Sequence, residues 1–363
     1  MTDRVFALFA GGGTGGHTYP ALAVAQELVQ RGHPRDSVRF VGGRRGIEGR
    51  VVPEAGFAID LLAGRGLQRR LTVANVAALA GAVSAFARAL VLVRRYRPRV
   101  VVGFGGYASL PCVAAARFWR VPTLVHEQDA APGLANRIGV RLGAHAAVSL
   151  PGTPLRGATL TGNPVRGSIA TLVRAPAADP ALVAVYGGAQ GARTINRAAL
   201  DCYDRWRARR DLRVRHVCGP RNETECAATL RGQQRDGDAL VYELVGYEQH
   251  MDDLLSHATV AVCRSGAGTI AELTVAGVPA VLVPLPGSPS DHQARNAGTL
   301  ERAGAAVVVR DDECDGARLD GVVSALLAEP ERLARMSVAA RGLGRADAAA
   351  RVADLVEEQA GGR

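Results

Sequence analysis

Twice in this chain a short apolar run passes straight into a glycine-rich turn and then into a helical pattern. LFA runs into GGGTGGH near the start, and VAVY runs into GGAQGAR near the middle. A glycine turn at the carboxyl end of a strand aims backbone N–H groups outward and puts a helix N-terminus behind them, as at the opening of a Rossmann-like unit. Two such openings in 363 residues predict two α/β domains. The rest of the chain agrees. β-branched runs at residues 5–10, 38–41, 100–104, 123–126, 182–186, 212–217, 260–263 and 280–284 alternate with helical runs such as 21–31, 194–209 and 270–276. That alternation calls for parallel sheets with helical crossovers. The expected fold is α/β, two doubly wound Rossmann-like domains facing a cleft onto which both glycine loops open. Residues 162–180, with Pro164, Pro176 and Pro180, read as the linker.

Charge and cysteine content narrow the function. The net charge is +10, and every basic residue is an arginine. A basic surface suits phosphates or an anionic membrane leaflet. It would also suit nucleic acid, but only 4% of residues are aromatic and no stacking or recognition-helix pattern is present, so no nucleic-acid partner is expected. The six cysteines form no C-x-x-C pair and no zinc spacing, and the apolar run at 5–10 is too short for a secretion signal. Both point to a reduced, cytosolic protein. Residues 71–93 could span a bilayer by length, but Asn75, Ser84 and Arg88 interrupt them and Arg69, Arg70, Arg94, Arg95 and Arg97 flank them. A helix of the folded domain, with one face resting on lipid headgroups, is the expectation. Asp236-Gly237-Asp238 mimics a metal-binding D-x-D, but no strand precedes it, so a solvated loop is expected and no metal site.

Four segments carry candidate chemistry. Gly11-x-Gly13-x-x-Gly16 matches a dinucleotide fingerprint, but the second strand ends in Gly42, Gly43 and Arg44 rather than in an acid for the ribose. Arg44 could serve a 2′-phosphate, which leaves an NADP-dependent oxidoreductase as the remote alternative; His17 and the second glycine loop speak against it. GGAQGAR, residues 187–193, can take a diphosphate on its N–H groups with Arg193 adding charge, or can be a plain tight turn. In CRSGAGTIAE, residues 263–272, Glu272 falls about one helical turn past the loop, where a carboxylate suits a ribose diol; Thr269-x-x-Glu272 is equally readable as a capping box. In residues 284–297, a turn rich in Pro, Gly and Ser leads to His292, Gln293 and Asn296, side chains suited to sugar hydroxyls, with Asp291 a possible N-cap.

In order and spacing, GGGTGGH, GFGGYAS (103–109), HEQDAAPGLANR (126–137), TGNPVR (161–166), GGAQGAR, CRSGAGTIAE and DHQARNA resemble the bacterial peptidoglycan N-acetylglucosaminyltransferases, the MurG family. The resemblance covers nearly the whole chain. It implies GT-B architecture, with an acceptor- and membrane-facing domain at 1–163, a donor domain at 164–343 and a last helix at about 344–360 crossing back to the first domain. It implies an inverting transfer of N-acetylglucosamine from UDP-N-acetylglucosamine to the C4 hydroxyl of a lipid-linked muramyl-pentapeptide, at the cytoplasmic face of the membrane. No cofactor is required on this reading; a divalent cation could stimulate without a protein site. The alternative is a UDP-sugar transferase of the same fold with a natural-product or other lipid acceptor.

Carried onto this sequence, the resemblance places the donor near Thr14, Gly15, Gly16, Asp129, Arg166, Ala189, Gln190, Gly191, Arg264, Ser265, Gly266, Ala267, Gly268, Thr269, Glu272, His292 and Gln293. The acceptor diphosphate would lie by Gly13, His17, Gly105, Gly106 and Tyr107. His17 is the first choice of general base and Asp129 the second, with Glu127 orienting either. Three positions depart from the family pattern: Asp129 for an asparagine, Ala189 for a serine, and Glu248 for an aliphatic residue after Tyr247. Phe118, Trp119 and Arg120 join the 71–93 helix as the expected membrane contact.

Overall fold

The computed structural model describes residues 5–44, 46–62, 73–175 and 179–361, and of the side chains at 73–80 nothing is described. Arg69, Arg70, Leu71, Thr72, the Asn75 side chain and Pro176 therefore lie outside the described residues. The chain divides into two compact units, Met1–Arg166 with Asp347–Arg363, and Gly167–Ala346. The sequence-based border at 163/164 lies three residues before this division (166 − 163).

In the first unit a parallel sheet runs in the order β3-β2-β1-β4-β5-β6-β7, with β1 (Ala7–Ala10), β2 (Val38–Gly43), β3 (Ala58–Leu62), β4 (Val100–Gly103), β5 (Thr123–Glu127), β6 (His145–Val148) and β7 (Thr159–Leu160). β1 and β4 are buried along their whole length, as apolar strands covered on both faces must be. Their side chains alternate between two cores. Phe9 joins Phe40, Phe57 and Phe104 on one face. Leu8 and Ala10 meet Ala85, Ala89 and Leu92 of the helix Val73–Tyr96 on the other. Each of the larger side chains contributes about 1.5–3 kcal/mol through burial. That helix packs on the sheet along one side and exposes Val83, Arg88, Val91, Arg94 and Arg95 along the other, and no helix among the described residues is long and apolar enough to cross a membrane.

The helix Ala348–Gly361 belongs to the first unit, where Val352, Ala353 and Val356 pack into the core beside the helix Gly15–Gln30. Arg31 bridges Asp354 at 2.6 Å and Glu357 at 2.8 Å, and Glu357 also meets His33 at 2.8 Å.

The second unit repeats the plan in the order β10-β9-β8-β11-β12-β13, with β8 (Ala181–Tyr186), β9 (Leu212–Val217), β10 (Val241–Val245), β11 (Val260–Cys263), β12 (Ala280–Leu282) and β13 (Ala306–Val308). Trp206 is buried in its core and donates to Asp320 at 2.7 Å. The helix expected over 194–209 is two pieces, Arg193–Asp201 and Tyr203–Trp206. Asp238 of the D-x-D is spent on structure: it accepts from the Tyr203 hydroxyl at 2.8 Å and from the Arg235 N–H at 2.9 Å. Among the described residues no group of His, Cys, Asp or Glu could hold a metal ion, and the six cysteines are buried and unbridged.

Candidate active site

In the first unit Gly11-Gly12-Gly13 follows β1, and the helix Gly15–Gln30 starts after Thr14, its N-cap. Gly13 has φ 92°, open to glycine at no steric cost. Gly106, in the turn after β4, packs so tightly here that a Cβ would overlap the Gly12 carbonyl. His17 lies against Gly105, and its Nδ1 is 3.1 Å from the Gly12 carbonyl and 3.3 Å from Thr14 Oγ1. A carbonyl only accepts, so the bond to Gly12 places the proton on Nδ1 and the lone pair on Nε2. That is the tautomer a base needs if it is to act through Nε2.

Not every residue expected at the acceptor turns outward. The Gly13 N–H is directed into the carboxylate of Glu48 at 2.9 Å, and the Tyr107 hydroxyl donates to the Gly81 carbonyl at 2.9 Å. Burial raises the Tyr107 pKa.

The HEQD segment ends β5. His126 is fully buried: its Nε2 donates to the Gly162 carbonyl at 3.0 Å, and Gln128 Nε2 donates to its Nδ1 at 3.1 Å. Burial lowers its pKa to about 4, so the ring is neutral. Gly162 opens the segment that ends in the half-buried Arg166. Glu127 is 3% exposed, and its carboxylate accepts from the Asp129 N–H at 3.1 Å, the Gly133 N–H at 2.9 Å and Asn136 Nδ2 at 2.8 Å. Burial pushes the Glu127 pKa up against these bonds. Glu127 thus holds the backbone of Asp129, whose side chain is half-buried.

In the second unit β8 ends at Tyr186, and Ala189 and Gln190 are exposed on the loop before the helix Arg193–Asp201. Gly191, at φ 73°, packs on the Cys218 carbonyl, which a Cβ there would overlap. The same carbonyl accepts from Asn196 Nδ2 and Asn222 Nδ2, both at 2.8 Å. Asn196 Oδ1 lies 3.1 Å from His216 Nε2, and the Tyr242 hydroxyl lies 2.9 Å from His216 Nδ1. With Nδ2 donating to Cys218, Oδ1 is the acceptor, so His216 carries its proton on Nε2 and Tyr242 donates to Nδ1. His216 is fully buried, and that burial lowers its pKa to about 4.

The CRSGAGTIAE segment follows β11. Its helix, Ala267–Ala276, begins after Gly266, so Thr269 lies inside it and the capping-box reading of Thr269 and Glu272 fails. Gly266, Ala267, Gly268, Thr269 and Glu272 are half-exposed at its start, while Arg264 and Ser265 are buried as braces. Arg264 Nη1 donates to the Val283 carbonyl at 3.0 Å and meets Asp311 Oδ1 at 2.6 Å. Ser265 Oγ donates to the Gln293 carbonyl at 2.8 Å, and Gln293 Oε1 accepts from the Leu285 N–H at 3.0 Å. His292 opens the next helix, His292–Arg302. Asp291 makes no capping hydrogen bond there; it and Ser290 are left-handed, at φ 54° and 55°. Glu248 is turned to Arg215, whose Nε and Nη2 donate to it at 3.0 and 2.8 Å.

Glu48, Asn196, His216 and Tyr242 sit in no motif that the sequence singled out, and Gln128 and Asn136 lie within HEQDAAPGLANR without having been given a role. A buried-looking acid beside glycines, as in GGRRGIE, was the one local signal for Glu48.

Comparison with known proteins follows the same two-unit division. Residues 7–148 match the glycosyltransferase family 28 N-terminal domain and residues 182–352 the family 28 C-terminal domain. The chain is 40% identical over 367 aligned positions, 98% of each chain, to a UDP-N-acetylglucosamine–N-acetylmuramyl-(pentapeptide) pyrophosphoryl-undecaprenol N-acetylglucosamine transferase of Desulforudis audaxviator. It is 41% identical to the protein of the same name from Alkalilimnicola ehrlichii, covering 97% of this chain and 98% of that one. The crystal structure of Acinetobacter baumannii MurG superposes with a TM-score of 0.79 at 27% identity, covering 97% of this chain and 99% of that one.

Proposed function

The chain belongs to glycosyltransferase family 28, in the MurG family, and we propose that it transfers N-acetylglucosamine from UDP-N-acetylglucosamine to the C4 hydroxyl of an undecaprenyl-diphospho-muramyl-pentapeptide in peptidoglycan synthesis. The observation that carries this reading is the 40% identity sustained through both units.

The step is an inverting displacement. His17 Nε2 takes the proton of the attacking hydroxyl, and the new β-1,4 bond forms as UDP leaves. The diphosphate is stabilised by the N-termini of the helices Arg193–Asp201 and Ala267–Ala276 together with Arg193. Glu272 takes the ribose diol, and Gln293 and His292 the sugar hydroxyls. This charge stabilisation requires no metal. The polyprenyl acceptor stays in its bilayer, so the enzyme docks on the cytoplasmic leaflet. Val83, Val91 and Phe118 are 63%, 56% and 64% exposed, and Arg94 stacks over the Trp119 ring at 5.1 Å. Apolar side chains ringed by arginines suit shallow insertion among anionic headgroups.

The test is UDP release from UDP-N-acetylglucosamine with and without a short-chain analogue of the lipid acceptor. Acceptor-dependent release with a disaccharide product by mass supports the proposal. Donor binding without transfer to that acceptor directs the reading to another acceptor, and no donor binding overturns it.

A further inference from the structure

The Gly12–Gly13 peptide is gripped from both sides. Its N–H donates to Glu48 Oε2 at 2.9 Å, and its carbonyl accepts from His17 Nδ1 at 3.1 Å. Glu48 is 2% exposed and its other oxygen accepts from the Gly43 N–H at 2.8 Å, which ties the loop after β1 to the end of β2. Gly12, Gly42 and Gly46 surround the side chain so closely that a Cβ on any of them would overlap it. The local sequence makes room for this one carboxylate.

A peptide between two glycines has the least side-chain resistance to rotating about its own axis. Because the unit is planar and trans, fixing the direction of its N–H fixes that of its C=O. A carboxylate on the N–H also polarises the peptide and makes the carbonyl a better acceptor. We infer that Glu48 is a positioning residue for the transfer: through the Gly12–Gly13 peptide it holds the His17 proton on Nδ1 and presents the Nε2 lone pair to the acceptor hydroxyl. It does for the base, across one peptide, what a carboxylate bonded directly to a catalytic imidazole does. When Nε2 takes the hydroxyl proton, Nδ1 keeps its own and stays on Gly12, and the carboxylate behind that peptide stabilises the imidazolium.

The inference rests on His17 being the base, and the experiment separates the two claims. The imidazole 15N shifts of His17 are measured in the full chain and in Glu48→Gln, beside kcat and the KM for UDP-N-acetylglucosamine. The glutamine keeps the size but faces one of the two N–H groups with an amide donor. The wild-type ring is expected as the Nδ1–H tautomer. In Glu48→Gln that tautomer gives way to a mixture and kcat falls by about 100-fold, with the donor KM within about twofold and amide resonances outside the loop retained. An Nε2–H tautomer in the wild-type chain overturns the inference without recourse to any variant, and so does a folded Glu48→Gln with wild-type shifts and turnover. A tautomer lost in Glu48→Gln with kcat unchanged removes Glu48 from the transfer and His17 as its base together. Near-normal turnover in His17→Ala rejects the base, and the role of Glu48 in the transfer falls with it even where the tautomer is as expected.

Discussion

The loop after β1 rests on the Glu48 carboxylate, whereas the loop after β8 rests on a neutral chain, Tyr242 to His216 to Asn196 to the Cys218 carbonyl on which Gly191 packs. In sequence the two loops look like copies. Their supports differ in charge. A carboxylate beneath the first loop occupies the Gly13 N–H and subtracts from the positive potential of the helix behind it, which is poor design for gripping a diphosphate and good design for orienting an imidazole. The second loop keeps its helix potential and adds Arg193; the chain of groups beneath it is neutral, and Asp311, which accepts from Thr194 at 3.3 Å at the helix start, is paired with Arg264. On the proposed reading the two halves of the transfer are divided accordingly: proton chemistry at the first loop, leaving-group charge at the second.

The strongest way to break this division is His17→Ala. Loss of a general base lowers turnover by about 10²- to 10⁴-fold, and UDP affinity, which on the proposed reading comes from the second unit, should be unchanged by calorimetry. A comparable loss of UDP affinity would mean that the first loop holds nucleotide after all.

Gly191→Ala attacks the other side. Its Cβ meets the Cys218 carbonyl, and φ 73° disfavours any side chain. Strain of about 1–3 kcal/mol is expected to weaken UDP binding by about tenfold or more. The His17 tautomer should be untouched. A variant that binds UDP as the wild type does would show that this loop is not a phosphate cradle.

Acid should also separate the units. His126 and His216 have folded pKa values of about 4, below the usual value of 6.5, so the unfolded chain binds more protons between those limits. The stability from keeping each ring neutral is complete above about pH 6.5 and drains away as pH falls towards 4; at pH 5 the loss is about 2 kcal/mol per ring. Glu127, in the first unit, has a raised pKa, so its contribution grows as pH falls and opposes that of His126. The second unit, where Glu248 has a lowered pKa, gains no such relief from it. Trp119 and Trp206 are the two tryptophans of the chain and lie in different units. Urea melts of Trp119→Phe at pH 7.5 and 5, followed by Trp206 fluorescence, should show the second unit losing more stability than the first, followed in Trp206→Phe. Equal losses would remove Glu127 as a counterweight.

What the sequence made legible is what local pattern encodes. Strand, glycine turn and helix are contiguous, so both Rossmann-like openings and the Gly191 loop could be read directly. β3, β6, β7, β10 and β13 could not, because AIDLL, HAAV, TL, VYELV and AVV are short or mixed in polarity and become strands only by pairing with neighbours already in the sheet. The supports of the site escaped for a related reason. Glu48 lies 35 residues from Gly13, and His216 lies 20 from Asn196. No periodicity marks a buried polar residue whose partner is distant in the chain. The capping-box reading of Thr269 and Glu272 failed because the helix starts earlier, at Ala267, a boundary set by backbone geometry rather than by a capping side chain.

The smallest expected effect sharpens the comparison at a single atom. Ala189 stands exposed on the second loop where the family pattern has a serine, and its backbone needs no glycine. Ala189→Ser adds a hydroxyl without a change of fold. If the loop carries the donor diphosphate, that hydroxyl makes one more hydrogen bond to it, worth about 0.5–1.5 kcal/mol, and the KM for UDP-N-acetylglucosamine should fall by about two- to tenfold while kcat holds. The same change leaves His17 and its peptide untouched, so a shift in kcat at constant KM would contradict the division of labour between the loops. An unchanged KM would place the diphosphate on the amides of the helix start, beyond the reach of residue 189.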